Sequence, residues 1–592
     1  MTKKIKTTWD LSLLYKNDTD PTIEADIQDI ETQCDAFLAD FGGKKDLYRS
    51  SPFLKEALLR YEKLLRVLSG AKPLLYFHYR SALSAFDTKA EAAIARLTTR
   101  VSKANNKILF FELGLGALPK KEKDALCTDT TLKRYHYFFS HLFAQSKHFL
   151  SEGEEKIMNL KDLPAHELWT ASVDHLLNEK EIVFEGKKIP LAQAQGMYSS
   201  LPTAKRRAIG RRITAVYKAV APHAENELNA IVTNKKINDE LRHFEEAFSG
   251  TVLQYQNDEK VVAGLVREVS ESFPISHRFY DLKRRLLRLP YLQYIDRSAS
   301  IGVMEKKYTF EQTVTLIKKA FGKVSPAYAA IIDSFLERGQ IDVLPKTGKS
   351  GGAFCSSSLS APTFVLLNHT NDIRSVLTFA HEMGHAIHAE FGATVNPLYH
   401  SPSMVVAETA STLFERFIDD VIIDTLSKKE KVVYLHNRIN DIVSIIFRQI
   451  ACFNFEVALH RGIRENGRLT KEEIVKIMNT HMKAYLGPAV RLTDDDGYMF
   501  ASWHHIRRFF YVYSYAYGGL VSAQMHALYT KDQNYVKRID AFLSSGATAS
   551  PEALYAAAGI DTTAPGFFAS ATEEIQRDID RLERAAQEAG ML

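Results

Sequence analysis

The residues that could do chemistry concentrate at His381-Glu382-Met383-Gly384-His385, two histidines four apart with a glutamate directly after the first. In a helix, positions i and i+4 share a face about one turn apart. Two imidazoles there can take adjacent corners of one tetrahedral zinc ion. Glu382 is rotated by about a quarter-turn from His381, so its carboxylate can flank the metal without binding it. That arrangement suits a metal-activated water and the base that deprotonates it. The plainer alternative is a pair of satisfied core histidines. The motif lies on a largely apolar helix, however, and two histidines and a glutamate inside a core need a compensating partner, which a metal supplies.

Two helices must position this set. For the first, Asn371 or Asp372 can act as N-cap, Ile373, Val376, Leu377, Ala380 and Ile387 recur at helical spacing, and Gly392 offers a stop. A third ligand in the pattern HExxHxxGxxH is excluded, because His388 stands where the glycine would be and Phe391 where the histidine would be. Glu390 lies about half a turn from His381 and faces the wrong side. The next carboxylate on a new element is Glu408, in a helix announced by Ser401-Pro402. Ala407, Ala410 and Ser411 around it would let two helices approach closely. Glu415, seven residues on and roughly 10 Å further along the axis, is either a partner for a ligating histidine or a surface charge. A structural zinc site would usually carry four protein ligands, often with cysteine. Three are apparent here and Glu382 is intact, which favours catalysis over a non-catalytic helical peptide-binding protein.

HEMGH followed by Asn396-Pro397-Leu398-Tyr399-His400-Ser401-Pro402-Ser403-Met404-Val405-Val406-Ala407-Glu408-Thr409-Ala410-Ser411-Thr412 resembles the oligoendopeptidase F family of zinc metallopeptidases, relatives of thimet oligopeptidase. Thr8-Trp9-Asp10-Leu11-Ser12, Ser350 to Cys355, the aromatic run Phe510 to Ala516 and Ala558-Gly559-Ile560-Asp561 are also similar to that family. The resemblance implies a mainly α, two-lobed zincin peptidase that cleaves short unstructured peptides in a deep channel, with one zinc ion per chain. A carboxypeptidase of the same superfamily is the alternative. It also implies a histidine and a tyrosine that hydrogen-bond the developing oxyanion. His505 and Tyr513, eight apart and so on nearly one helical face, are the matching positions, with His504 and Tyr511 as rivals.

The composition agrees with an enzyme of this kind. A chain of 592 residues with 45% hydrophobic and 11% aromatic content can bury large cores, and a formal charge of +5 implies no bulk attraction to polyanions. Cys34, Cys127, Cys355 and Cys452 are scattered, without CxxC spacing, as reduced thiols of a cytoplasmic protein would be. Met1 to Asp10 is polar and lacks the apolar core of a signal peptide. No uninterrupted apolar run approaches ~18 residues, so no membrane span is expected.

Elsewhere the chain predicts helices. Asp20-Pro21 and Ser51-Pro52 mark starts, and Ser151 with Glu154 forms a capping box. Residues 88–118 and 427–466 read as long helices, and Thr470 with Glu473 caps the next one. Residues 181–191 predict a hairpin, and a boundary near 200 separates an N-terminal helical lobe, 1–200, from a catalytic region, 201–592. Gly351 to Cys355 and Pro362 to Leu367 predict a small β-sheet beside the metal helix, whose free edge could pair with an extended peptide. Lys205-Arg206-Arg207 with Arg211-Arg212, and Lys283-Arg284-Arg285 with Arg288, alternate with apolar residues and are expected as solvated helix faces rather than a nucleic-acid site. Gly348-Lys349-Ser350 is no phosphate loop, since Val343 stands where its first glycine is required.

Overall fold

The computed structural model describes residues 5–592 except 45, 85 and 305, and only the backbone at 159, 160 and 163. Residues 1–4 of the polar N-terminal stretch thus lie outside the described residues. The chain is mainly helical, as its periodicity predicts. The expected punctuation is largely in place. Asp20 caps Pro21–Phe41 with proline in the first turn, the Ser151–Glu154 box forms, and Thr470 and Glu473 cap Lys471–Leu486 reciprocally. Thr88–Gly116 is one helix. Ser51 and Pro52 open Ser51–Leu68 as expected, with Ser50 in the cap position, and the Ser51 hydroxyl donates to Asp129 at 2.5 Å.

Among the described residues, strands form three small sheets. The hairpin pairs Glu181–Phe184 with Lys187–Pro190 through Glu185 and Gly186, both at positive φ (51° and 77°). That is the two-residue turn whose twist matches the strands. A second sheet orders Ile341–Asp342, Phe364–Leu366 and Phe354–Ser356, with Phe354–Ser356 antiparallel at the edge. Trp9 fastens the N-terminal segment to it, its indole donating to Val365 O at 2.8 Å while its ring packs edge-on against Phe364.

Packing groups the chain into two units that interleave along the sequence. One comprises Met1–Phe149, Lys306–Ile422 and Met525–Ile560, the other Leu150–Glu305, Ile423–Gln524 and Asp561–Leu592. The first contains the metal motif, the three-stranded sheet and a core that includes Phe37, Phe111, Tyr135 and Phe364. The second contains the hairpin, the 39-residue helix Thr203–Leu241 and the aromatic run.

The expected helix over 427–466 is continuous in direction but changes pitch. Lys428–Val443 and Gln449–Asn466 are joined by a π-helical turn at Ser444–Arg448. Its most apolar 18-residue stretch has a mean hydropathy of 1.6, and 67% of that stretch is buried inside the protein, which marks a core helix. The basic runs are solvated as expected at Lys205, Arg211, Arg212, Arg285 and Arg288, and depart from expectation at two positions. Arg206 is 2% exposed and pairs with Asp296 at 2.8 Å, and Lys283 is fully buried with its ammonium donating to Asn440 at 2.9 Å. Alternation with Ala, Ile and Leu told which face the cations share, but the Asp296 carboxylate, 90 positions from Arg206, and the Asn440 amide oxygen, 157 from Lys283, hold these two inward.

Candidate metal centre

The metal motif lies on Ile373–Phe391, capped by Asp372, whose carboxylate accepts from Ser375 N at 2.8 Å. Asn371, the other candidate cap, instead takes a left-handed turn (φ 60°) just before it. Gly392 closes the helix as its C-cap, as expected, though without a left-handed angle. It continues as a 3-10 turn at φ −77°. The second helix spans Met404–Ile423 and so begins two residues after Pro402, not at it.

The two helices meet at Gly384. A methyl group there would lie 2.9 Å from Ser411 Cα and 3.0 Å from Phe414 Cβ. The glycine inside the motif therefore permits the close approach, together with Ser411 on the other helix. One turn to either side of that contact stand Glu408 and Glu415. Donor atoms of His381, His385 and Glu408 all lie within 4.8 Å of one another, with His381 Nε2 3.9 Å from Glu408 Oε2 and the imidazoles at 83° to each other. His381 Nδ1 meets Glu415 Oε1 at 2.7 Å. Glu415 thus orients the ring and leaves Nε2 for a metal, and is no surface charge. Glu390 is exposed, away from the cluster.

The electrostatics of the set call for a cation. Burial raises Glu408, and His381 and Glu415 modify that in opposite senses. Glu382, 7% exposed, is pushed up to about 7, first by burial and then by Glu408 and Glu415, against the pull of His381 and of the Cys355 backbone. Burial lowers His385 well below the usual imidazole range. At His381 burial acts downward too, but the hydrogen bond and charge of Glu415, with Glu408 and Glu382, hold it up to about 9. Three crowded carboxyl groups and two imidazoles presenting nitrogen and oxygen donors fit a tetrahedral zinc site with one open position.

The edge strand Phe354–Ser356 packs on the metal helix and brings the Cys355 backbone to Glu382. Lys349, from the rejected phosphate-loop pattern, is buried under this sheet and pairs with Asp342 at 2.7 Å.

The aromatic run, in the other unit, does not form one helical face. His504–Arg507 is a 3-10 turn, Phe509 and Phe510 take left-handed angles (φ 47° and 63°), and a regular helix starts only at Tyr513. His505 Nδ1 contacts the Tyr511 hydroxyl, whereas the Tyr513 hydroxyl donates to Asn257 Oδ1 at 3.0 Å. His504 is exposed and pairs with Asp174 at 3.1 Å. Burial, then Arg448, His504 and Arg508, lower His505 to about 4, so its imidazole is neutral near pH 7. The strained loop is anchored by groups that nothing in the local sequence announces. Arg507 makes a buried fork with Glu227 (2.8 and 2.6 Å), and Phe510 N donates at 2.6 Å to Glu456, a carboxyl that burial pushes up to about 8.

With this geometry in view, the sequence profile of Peptidase family M3 matches residues 197–574, and that of Oligopeptidase F matches residues 115–179. The chain belongs to peptidase family M3. This M3 chain is 25% identical to an oligoendopeptidase F homolog of Borreliella burgdorferi over 571 residues, covering 94% of each protein. It is likewise 25% identical to one of Lactococcus lactis subsp. lactis over 617 residues, covering 98% of each. Its fold matches oligoendopeptidase-F from Enterococcus faecium with a TM-score of 0.70 at 19% identity, covering 96% of this chain and 99% of that one. It matches PZ peptidase A in complex with an inhibitor with a TM-score of 0.72 at 16% identity, covering 94% and 97%. The M3 chain is a zinc metallopeptidase of the oligoendopeptidase F type, with His381, His385 and Glu408 as its HExxH-plus-glutamate site and peptides as its substrates.

Proposed function

We propose that this metallopeptidase hydrolyses internal bonds of short, unstructured peptides in the cytoplasm, without a nucleic-acid or membrane partner, and that residues 201–592 are its catalytic region. The observation that carries the reading is the buried Glu382 beside the His381, His385 and Glu408 cluster, with His381 already oriented by Glu415. The family match from residue 197 supports the catalytic region, and four unpaired thiols support a reducing compartment. Arg206, Arg207, Arg284 and Arg285 of the basic runs pair within the protein with Asp296, Asp281 and Glu583, which leaves fewer of these cations for a polyanion.

Zinc supplies a Lewis acid for the attacking water and for the scissile carbonyl. Glu382 takes the water's proton as it attacks and passes it to the leaving amine, a role suited to a carboxyl group near pKa 7. Resemblance to the family supports His505 and Tyr513 as the donors to the developing oxyanion; the Tyr513 hydroxyl, buried and donating to Asn257, would exchange that bond to serve. A neutral His505 whose Nδ1 accepts from the Tyr511 hydroxyl carries its proton on Nε2, so Tyr511 acts as a positioning residue. The free side of Phe354–Ser356 pairs with the backbone of an extended peptide, fixing its register without reading its side chains.

The test combines zinc content, cleavage of a quenched fluorescent peptide and mass spectrometry of the products. Glu382→Gln retains zinc and loses turnover, and the wild-type protein yields internal fragments. Undiminished cleavage by the variant, or release of single C-terminal residues alone, refutes the reading.

A further inference from the structure

The second unit holds a partly open cavity of about 520 Å³ whose lining includes none of His381, Glu382, His385, Glu408, His505 or Tyr513. Four buried polar atoms on its wall have no hydrogen-bond partner in the protein: Arg297 Nε, Arg448 Nε, Trp503 Nε1 and Tyr294 Oη. Trp503 is 6% exposed and Tyr294 9% exposed, so bulk solvent does not satisfy them. Three of the four atoms are donors only, and the phenol can donate as well.

Charge points the same way. Arg297 lies 4.5 Å over the Tyr294 ring. Arg448 lies 4.3 Å over the indole of Trp503. It ends the π-helical turn Ser444–Arg448, a distortion that recurs at functional sites. The acids nearby are already engaged. Asp495 pairs with Lys218 at 2.8 Å, and Asp496 accepts from Thr493 N at 2.7 Å. Asp296 is shared between Arg206 and Arg207, each at 2.8 Å. Two half-buried guanidinium groups are left facing one space, and none of the described ion pairs joins either of them to a carboxylate.

The geometry points to a binding site for a small organic anion, whose phosphate or carboxylate group sits between Arg297 and Arg448 and whose flat body fills the aromatic part of the cavity. The guanidinium forks match either oxyanion. The volume exceeds what a bare inorganic ion would fill, and the indole and phenol walls suit a ring. A nucleoside monophosphate is the appropriate size for a phosphate probe, and an N-acetylated aromatic amino acid for a carboxylate probe.

The test uses the full-length, zinc-loaded protein at ionic strength held constant with sodium chloride. Tryptophan fluorescence and the thermal midpoint are followed on titration with a nucleoside monophosphate, the matching uncharged nucleoside, an N-acetylated aromatic amino acid and inorganic phosphate. A saturable response to either organic anion, absent with the nucleoside, is expected, and which anion responds identifies the oxyanion group. Arg448→Met should weaken binding at least about tenfold. Trp503→Phe should remove the fluorescence change while the thermal shift persists. If Arg448→Met does not fold, Tyr294→Phe provides a milder variant with a smaller loss of affinity. A response to inorganic phosphate alone would make the occupant a counter-ion only and overturn the proposal. So would no response to any probe, or full affinity in the folded variants. Because the readout is binding rather than cleavage, its failure leaves the peptidase reading standing.

Discussion

The metal helix and the aromatic run carry equally conspicuous residue patterns, yet they obey their sequence spacing very differently. Ile373–Phe391 is an unbroken helix, so four residues between His381 and His385 become one turn and the rings converge. Between His505 and Tyr513 the backbone leaves the helical region twice, at Phe509 and Phe510, and eight residues no longer mean a shared face. The pairing that forms is His505 with Tyr511, six apart. Spacing predicts geometry only where every intervening residue keeps one set of dihedrals. Left-handed angles at bulky phenylalanines persist only because surrounding structure imposes them, here through Arg507 with Glu227 and Phe510 with Glu456.

The comparison is tested most severely at Glu382. Glu382→Gln should lower kcat by about 10²–10⁴-fold with zinc retained, as read by metal analysis beside peptide turnover. The aromatic run should follow closely. His505→Ala and Tyr513→Phe are each expected to cost about 10²–10³-fold in kcat, with KM little changed, whereas Tyr511→Phe should cost less. A larger loss from Tyr511→Phe than from Tyr513→Phe would transfer the oxyanion role to the tyrosine that already touches His505. Glu415→Ala should weaken zinc binding by about 10–100-fold, measured by competition with a chelator, and an unaltered affinity would remove Glu415 from the site. The smallest effect is expected at Gly384. The methyl group of Gly384→Ala must push Ser411 and Phe414 aside at about 1–3 kcal/mol, which outweighs a helix-propensity gain of about 1 kcal/mol. Urea unfolding should show a net loss, and a gain would mean the two helices can separate freely.

Other departures from expectation have the same origin as the one at Tyr513. The charge runs at 205–212 and 283–288 were legible as largely solvated helical faces, but the burial of Arg206 and Lys283 was not, because Asp296 and Asn440 come from distant segments. Glu415 was ambiguous between a solvated charge and a partner of His381, since a seven-residue step gives the face and not what covers it. Capping boxes and the 181–190 hairpin were legible because each is closed by atoms a few residues apart.

What the amino-acid order determined was local: the helices, their caps, the hairpin turn, the two histidines on one face and the glutamate beside them. Those features depend on dihedral preferences and on contacts within about one helical turn. What the tertiary structure alone decided was which distant groups share a space: Glu408 and Glu415 against His381 through the contact at Gly384, and Arg297 with Arg448 around one cavity. The reason is physical. Burial and charge compensation are properties of a three-dimensional neighbourhood, and no residue's own spacing in the chain specifies its neighbours there.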